Sequence, residues 1–385
     1  MVLSKTEVRP TTMETGVKLT VNGIEASVPG GSTVLEAAEA AGVYIPTLCH
    51  FPGLPPYGAC RLCLVEIEGM RRLTTACTTP VAEGMIVRTD TPQIQQLRRD
   101  ILELILSEHP HACFSCDRKE RCGPQDICLR NVAVEERCVV CPKNKRCELQ
   151  RVADYVGVTE VTLPYKFKGL SVLKDNPFFD RDYNLCILCG RCVRVCQEVR
   201  GVGAVAFTFR GSKALVGTAF DFPLEEVGCQ SCGACVDVCP TGALVERASR
   251  WAGDVGEGVV TTCPYCGVGC QLEVKVKDGK ILYVVPDREN EVNKGQACVK
   301  GKFGLDFVHD EGRLKVPLIK KGEELVEASW EEALEVVAEG LGRYRGSGEF
   351  GMIASAKCTN EDNYVMQKFA RVVMGTNDID HCARL

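Results

Sequence analysis

Two stretches fix the central architecture: Cys186-Ile-Leu-Cys189-Gly-Arg-Cys192-Val-Arg-Val-Cys196 and Cys229-Gln-Ser-Cys232-Gly-Ala-Cys235-Val-Asp-Val-Cys239-Pro240. Both read C-x2-C-x2-C-x3-C. Three thiols at that spacing come from one tight loop, and a fourth follows a turn later. The pattern is that of paired [4Fe–4S] clusters, in which the last cysteine of each run ligates the other cluster. One cube is therefore expected on Cys186, Cys189, Cys192 and Cys239, and its neighbour on Cys229, Cys232, Cys235 and Cys196. Between the runs, Ala204–Phe209 and Ala214–Ala219 read as an inserted β-hairpin.

The rest of the chain explains why so many thiols are present. It has 385 residues, 25 of them cysteine, a net charge of −5, 45% apolar and 25% charged residues. That composition is ordinary for a globular protein of two to four domains. No Lys/Arg run suggests a nucleic-acid surface, and no apolar stretch approaches the length of a membrane span. Met1–Thr15 shows neither an apolar export core nor a twin arginine, so a cytoplasmic location is expected. Thiols stay reduced there, which makes metal ligation a better reading of the cysteines than disulfides.

On the N-terminal side, Lys18–Val21 and Glu25–Val28 alternate around Asn22-Gly23, a hairpin signal. Thr33-x-x-Glu36 is a capping box for a helix through Ala41, stopped by Gly42. Strands are expected near Leu64–Ile67 and Met85–Arg88. Cys49-x10-Cys60-x2-Cys63-x13-Cys77 fits a [2Fe–2S] site in this β-rich domain, residues 16–94 after a tail at 1–15. Thr91-Pro92 then opens a helix, with Ile94, Leu97, Ile101, Leu104 and Ile105 as its packing face.

Residues 95–160 hold two further sets. His109-x3-Cys113-x2-Cys116-x5-Cys122 reads as one [4Fe–4S] site. A single histidine is usually an ordinary surface residue, but the His-Pro lead-in to the triplet favours a ring nitrogen as fourth ligand. His111 is the bland neighbour. Cys128-x9-Cys138-x2-Cys141-x5-Cys147 repeats the spacing and suggests another [4Fe–4S] cluster, with zinc open as a rival. Cys128 can alternatively complete the preceding cluster and displace His109. The stretch from His109 to Leu149, so poor in apolar residues, needs bound metal to organise it.

The paired-cluster domain is placed at 161–248, behind a Pro- and Asp-rich loop at 163–183, and a polar linker leads to an α/β region at 258–385. There, Cys263-x2-Cys266-x3-Cys270-x27-Cys298 makes a last [4Fe–4S] set. Leu272–Val276 and Ile281–Val285 flank an Asp278-Gly279 turn. Beyond them come a helix capped at Ser329 through Leu341, a buried strand at Phe350–Ser355 and a helix at Glu361–Val373 closed by Gly375. All cysteines except Cys358 and Cys382 are used; those two are expected to be core thiols. The inventory is one [2Fe–2S] and five [4Fe–4S] clusters, and a series of that length implies an electron wire.

Residues 17 to about 245 resemble the N-terminal region shared by the large iron–sulfur subunit of NADH:quinone oxidoreductase (complex I), [FeFe]-hydrogenases and NAD(P)- or ferredoxin-linked formate dehydrogenases. The resemblance rests on the two-iron loop, the His-Pro-x-x-Cys motif and the eight-cysteine ferredoxin. Thr262-Cys-Pro-Tyr-Cys-Gly-Val-Gly-Cys270 and Ala297-Cys-Val-Lys-Gly301 resemble the opening of the bis-molybdopterin guanine dinucleotide (bis-MGD) oxidoreductases. That likeness implies a role for Lys300 between cluster and pterin; by itself, it would read as a solvated lysine. Ala356–Arg371 and Gly375–Leu385 resemble the formate dehydrogenase catalytic (alpha) subunit. The fold class implied is α+β and multidomain: a β-grasp [2Fe–2S] domain, a His/Cys cluster segment, a two-[4Fe–4S] ferredoxin domain and the start of an α/β molybdopterin oxidoreductase domain.

The resemblance implies reversible oxidation of formate to CO2 at Mo or W held by bis-MGD. Electrons would pass along the clusters to a flavin- and NAD(P)-binding iron–sulfur subunit, or to a ferredoxin. Asn360, Glu361 and Asn363 are implied as contacts to a pterin nucleotide, although helix capping and exposure to water explain them nearly as well. The Cys-Ala-Arg segment leads in that family into the metal-ligating residue. The expectation is therefore a selenocysteine at position 386, a catalytic histidine after it, and no formate activity in residues 1–385 alone. The alternative is a non-catalytic electron-transfer subunit like that of complex I.

Overall fold

The computed structural model describes residues 16–253 and 255–382. The expected N-terminal tail, and the last three residues of the Cys-Ala-Arg-Leu segment, lie outside them. The chain forms two units. The first holds residues up to 228 together with 238–245, and the second holds 229–237 and 246 onward.

The first unit opens with a five-stranded sheet ordered β2-β1-β5-β3-β4, from β1 Val17–Val21, β2 Ile24–Val28, β3 Leu64–Ile67, β4 Thr74–Thr75 and β5 Ile86–Arg88. β1 and β2 pair antiparallel with Val21 opposite Ile24. The two residues between them, Asn22 and Gly23, sit at φ +50° and +85°. That is the left-handed turn conformation Asn-Gly accepts at little cost. β5 runs parallel to β1 and antiparallel to β3. Helix α1, Val34–Ala40, begins in the expected capping box, with Thr33 and Glu36 each bonded to the other's backbone. It buries Val34, Leu35, Ala37 and Ala38 in a core shared with Val21, Val65 and Val87.

Helix α2, Pro92–Leu106, starts with Thr91 as N-cap and Pro92 at its first position. Its buried stripe is Ile94, Arg98, Leu102 and Leu106, with Ile101 and Ile105 packed beside it; the expected packing face is corrected at Leu104, which is 64% exposed. The sequence masks this stripe because a charged residue sits in it. Arg98 is fully buried, and its guanidinium donates to the carbonyls of Leu62 and Leu64 at 3.0 and 3.2 Å. Leu102 and Leu106 pack with Leu48, Leu62, Cys138, Cys147 and helix α3, Glu148–Val156. The inserted hairpin forms from Ala206–Thr208 and Leu215–Gly217.

The second unit carries a three-stranded antiparallel sheet of Val259–Thr262, Gln271–Lys277 and Lys280–Pro286. Asp278-Gly279 makes its tight turn at φ +51° and +75°. Leu272, Val274, Val284, Ala297 and Leu305 form its core around Cys263. Ser329 caps Trp330–Gly342 as expected. The expected buried strand is not buried: among the described residues Met352–Ala354 pairs with Ile379–His381 alone, and Ile353 is 78% exposed. The same setting corrects the reading of the spare thiols. Cys358 is half-buried, its thiol donating to the Ser355 carbonyl at 3.0 Å, and Cys382 is exposed.

Candidate metal centres

Cys49, Cys60, Cys63 and Cys77 are brought together by the loop before β3 and the turn after β4. The Cys63 and Cys77 sulfurs lie 3.4 Å apart. The amides of Leu48 and Cys60 donate to the sulfurs of Cys60 and Cys49, each at 3.4 Å. Hydrogen bonds from neighbouring thiols hold Cys49 well below the usual thiol range, lower Cys63, and push Cys60 and Cys77 up. Four soft donors with amides aimed at their sulfurs suit a small anionic cluster, in which such hydrogen bonds tune potential.

This loop rests on the first cysteine run of the ferredoxin region. Arg194, between Cys192 and Cys196, donates to the carbonyls of Cys49 and Pro55. Its guanidinium lies 5.0 Å from the Tyr57 ring centre, and Arg191 lies 5.4 Å from that of Phe51.

Cys186, Cys192 and Cys239 are buried. Burial pushes the thiols of Cys186 and Cys189 up to about 11 and about 12, with Cys239 close enough to add to both. Their neutral thiols are thus costly to ionise without a metal to receive the charge. The loop has Leu188 at φ +54° and Gly190 at +73°, with the Leu188 amide on the Cys186 sulfur at 3.4 Å. The second run, in the other unit, repeats this: Ser231 at +50°, Gly233 at +73°, and the Ser231 amide on Cys229 at 3.4 Å. Equal spacing produces equal loops.

The segment at 95–160 is the one whose ligands the sequence left ambiguous. His109 is buried. Its Nδ1 lies 2.9 Å from the Pro110 carbonyl, and Nε2 is buried without a hydrogen-bond partner. Burial lowers its pKa to about 4, so the ring is neutral near pH 7, the form that binds metal. His111 is occupied with the Leu106 carbonyl at 2.8 Å and stands edge-on to Tyr165. Cys138, Cys141 and Cys147 are all pushed up, Cys138 chiefly by its bond with Cys113, Cys141 and Cys147 by burial. Cys113, Cys116, Cys122 and Cys128 line a single pocket. Among the described residues no three His, Cys, Asp or Glu close tightly enough to enclose a single metal ion.

In the second unit, the Cys263 amide donates to the Cys270 carbonyl at 2.8 Å, closing the C-x2-C-x3-C loop. Cys266, Cys270 and Cys298 crowd together with Cys263; mutual repulsion adds to burial in raising Cys263 and Cys270. Cys298 caps the helix Val299–Phe303. A Cβ on Gly301 would stand 3.4 Å from the Cys263 sulfur. Lys300 is exposed, its ammonium 6.0 Å from the Tyr265 ring centre.

Sequence reading passed over Lys302, which is 2% exposed and pairs with Asp237 at 2.7 Å and Glu246 at 3.5 Å. Only its spacing from Cys298 on one helix turn hints at it. Asn360 donates to the Gly267 carbonyl in the cysteine loop at 2.7 Å, Asn363 bonds the Ser355 carbonyl at 2.9 Å, and Glu361 is exposed.

Family models match the chain segment by segment: a 2Fe-2S iron-sulfur cluster binding domain at 14–92, the NADH-ubiquinone oxidoreductase-G iron-sulfur binding region at 98–131 and 135–162, the ferredoxin-like domain of NADH-quinone oxidoreductase subunit 3 at 176–245, the molybdopterin oxidoreductase Fe4S4 domain at 257–310 and molybdopterin oxidoreductase at 313–385. Together they show that the chain is similar, over most of its length, to iron–sulfur oxidoreductases of the molybdopterin oxidoreductase and NADH-quinone oxidoreductase-G type.

Within that class, the chain is similar to the NADH-quinone oxidoreductase G 2 subunit of Rhizobium meliloti, 38% identical over 96% of this chain and 40% of the relative. It is also similar to NADPH-Fe(3+) oxidoreductase subunit alpha of Geobacter sulfurreducens, at 34% over 96% and 40%. A Staphylococcus haemolyticus protein provisionally named a formate dehydrogenase is 30% identical over 97% and 39%. Among solved structures, an NAD+-reducing [NiFe]-hydrogenase chain aligns with TM-score 0.50 and 28% identity, covering 62% of this chain and 91% of that one. The chain thus spans about 40% of the length of these curated relatives.

Proposed function

We propose that these residues are the electron-conducting part of a formate dehydrogenase linked to NAD(P) or ferredoxin, working with a bis-MGD-bound Mo or W. The observation that carries the reading is the continuity of sites in one chain: the two-iron loop, the His/Cys segment, the eight ferredoxin cysteines and the Cys263 set, followed directly by a molybdopterin oxidoreductase segment. Formate as substrate draws on the Ala356–Arg371 and Gly375–Leu385 resemblance and on the provisional name of the staphylococcal relative.

When bound, the pterin metal would take two electrons from formate, releasing CO2 and one proton. The cysteine sets divide that pair into single-electron transfers. Cys263, Cys266, Cys270 and Cys298 would hold the first acceptor, with Lys300 beside it over Tyr265. Cys186, Cys189, Cys192 and Cys239 would hold one cube of the ferredoxin pair. Arg194 ties the first ferredoxin run to the two-iron loop, which makes that loop the natural outlet to a flavin subunit or ferredoxin. In this account Asn360 fastens the cysteine loop near the pterin.

A second reading is favoured by the R. meliloti relative: an electron-transfer subunit without its own chemistry. The full-length protein, purified anaerobically, separates them. Stoichiometric Mo or W, with EPR signals that appear on adding formate, supports formate oxidation. Clusters reduced by NADH or NADPH but silent to formate, with no Mo or W, support the second reading.

A further inference from the structure

Five Arg or Lys side chains are buried among the described residues: Arg98, Arg181, Arg191, Arg194 and Lys302. A buried cation is costly unless a negative charge answers it. Three of the five find that charge in a carboxylate. Arg181 pairs with Asp175 at 2.7 Å, Arg191 with Glu148 at 2.9 Å, and Lys302 with Asp237 at 2.7 Å and Glu246 at 3.5 Å. Arg98 and Arg194 differ. Among the described residues, their hydrogen bonds go to carbonyl oxygens alone.

Both of these arginines sit on one loop. Arg98, from α2, donates to the carbonyls of Leu62 and Leu64 at 3.0 and 3.2 Å, the residues on either side of Cys63. Arg194, from the helical turn Arg191–Arg194, donates to the Cys49 carbonyl and, at 2.6 Å, to that of Pro55. Two ligand positions of the two-iron site, Cys63 and Cys49, are thus each held by a guanidinium from a different element. Arg98 Nη1 and Arg194 Nε are buried with no hydrogen-bond partner. Carbonyl dipoles, and the Tyr57 ring centred 5.0 Å from Arg194, soften a full charge without cancelling it. Burial lowers the pKa of Arg98, and the charges of Cys63 and Asp90 are among those that oppose it.

A cluster on Cys49, Cys60, Cys63 and Cys77 would supply the missing counter-charge. Four thiolates make a [2Fe–2S] centre anionic, and reduction adds one electron, so its negative charge grows by one. A fixed cation close by favours the reduced form. Without water to screen it, its effect is much larger than that of an exposed side chain.

We propose that Arg98 and Arg194 are the fixed counter-charges of the [2Fe–2S] centre: they position Cys63 and Cys49 through the loop carbonyls, and their buried charge raises the potential of the centre. Both are positioning residues, acting through the loop and through space. The proposal rests on the [2Fe–2S] reading of these four cysteines, and is independent of whether formate is the substrate.

The test is a dye-mediated redox titration of the full-length protein, purified anaerobically and followed by the EPR signal of the [2Fe–2S] centre. Arg98→Met and Arg194→Met should each shift the reduction equilibrium about tenfold toward the oxidised centre, a fall of about 59 mV for one electron. Arg98→Lys and Arg194→Lys keep the charge and should recover most of that fall. Arg88→Met removes an exposed charge from β5 of the same sheet and should leave the potential in place. Arg98→Met should also leave the [4Fe–4S] signals where they are. Unchanged potentials in both Met variants would overturn the proposal. So would Lys variants as low as the Met variants, because the effect would then belong to lost hydrogen bonds rather than to charge. Where a Met variant assembles no [2Fe–2S] centre, its Lys counterpart decides: a centre restored by Lys supports the counter-charge, and one absent from both overturns it. A wild type without any [2Fe–2S] signal, or with zinc on these cysteines, would sink the two-iron reading itself, so the two failures are distinguishable.

Discussion

Lys302 and Lys300 lie two residues apart, yet they differ in almost every physical respect. Lys302 is buried with two carboxylates and the Val284 carbonyl, and that ion cluster raises its pKa in spite of burial. Removing the ammonium leaves Asp237 and Glu246 with uncompensated buried charge, a loss of roughly 3–5 kcal/mol. Lys302→Met should therefore lower the denaturant midpoint of the second unit's transition in the holoprotein, whereas Lys300→Met should change stability by no more than about 0.5 kcal/mol. Equal effects from the two substitutions would contradict the burial described. Lys300 was legible in the sequence because a family motif points to it. Lys302 was not, because a lysine reads as solvated until its partners, one of them 65 residues away, are seen to converge on it.

Elements test the packing. Periodicity alone found Ile94, Ile101 and Ile105 on the packing side of α2, but it added the exposed Leu104 and missed Arg98, Leu102 and Leu106. Leu102→Ala should cost about 2–5 kcal/mol, as deletions in a packed core do, and Leu104→Ala close to nothing. Chemical denaturation of the two variants compares them directly, and a larger loss for Leu104→Ala would place the helix in a different rotation. Turns were easier to read than faces. Asn22-Gly23, Asp278-Gly279 and the Thr33 capping box act over a few residues, so their chemistry is complete in the local sequence. Gly242 is a different case. A Cβ there would meet the Cys141 sulfur at 2.6 Å and Leu185 Cδ1 at 3.0 Å. Gly242→Ala should displace Cys141 and alter the EPR signal of its cluster without removing any ligand; an unchanged spectrum would mean that the site is more open than described.

Across the whole molecule, cysteine spacing made the class of protein readable, since cluster ligation needs fixed numbers of thiolates in short loops. It did not determine which sets share the ligands of residues 109–147, because two triplets of identical spacing are ambiguous in the sequence alone. Nor did it reveal how much apolar surface the second unit leaves uncovered, where Ile353 and Trp330 are 78% and 66% exposed. Thiols pushed above their usual range chiefly by desolvation, such as Cys141, Cys186 and Cys189, gain most from metal binding. Chelating the iron anaerobically should accordingly loosen the cysteine-rich region at 109–149 before the β1–β5 sheet, which has its own apolar core, and amide hydrogen exchange would resolve that order.

The central claim is that these thiolates gather around inorganic iron–sulfide cores. Quantifying iron, acid-labile sulfide and zinc in the anaerobically purified protein tests it most directly. One [2Fe–2S] and five [4Fe–4S] centres predict about 22 iron and about 22 sulfide per chain, with little zinc. Stoichiometric zinc without labile sulfide would contradict the account.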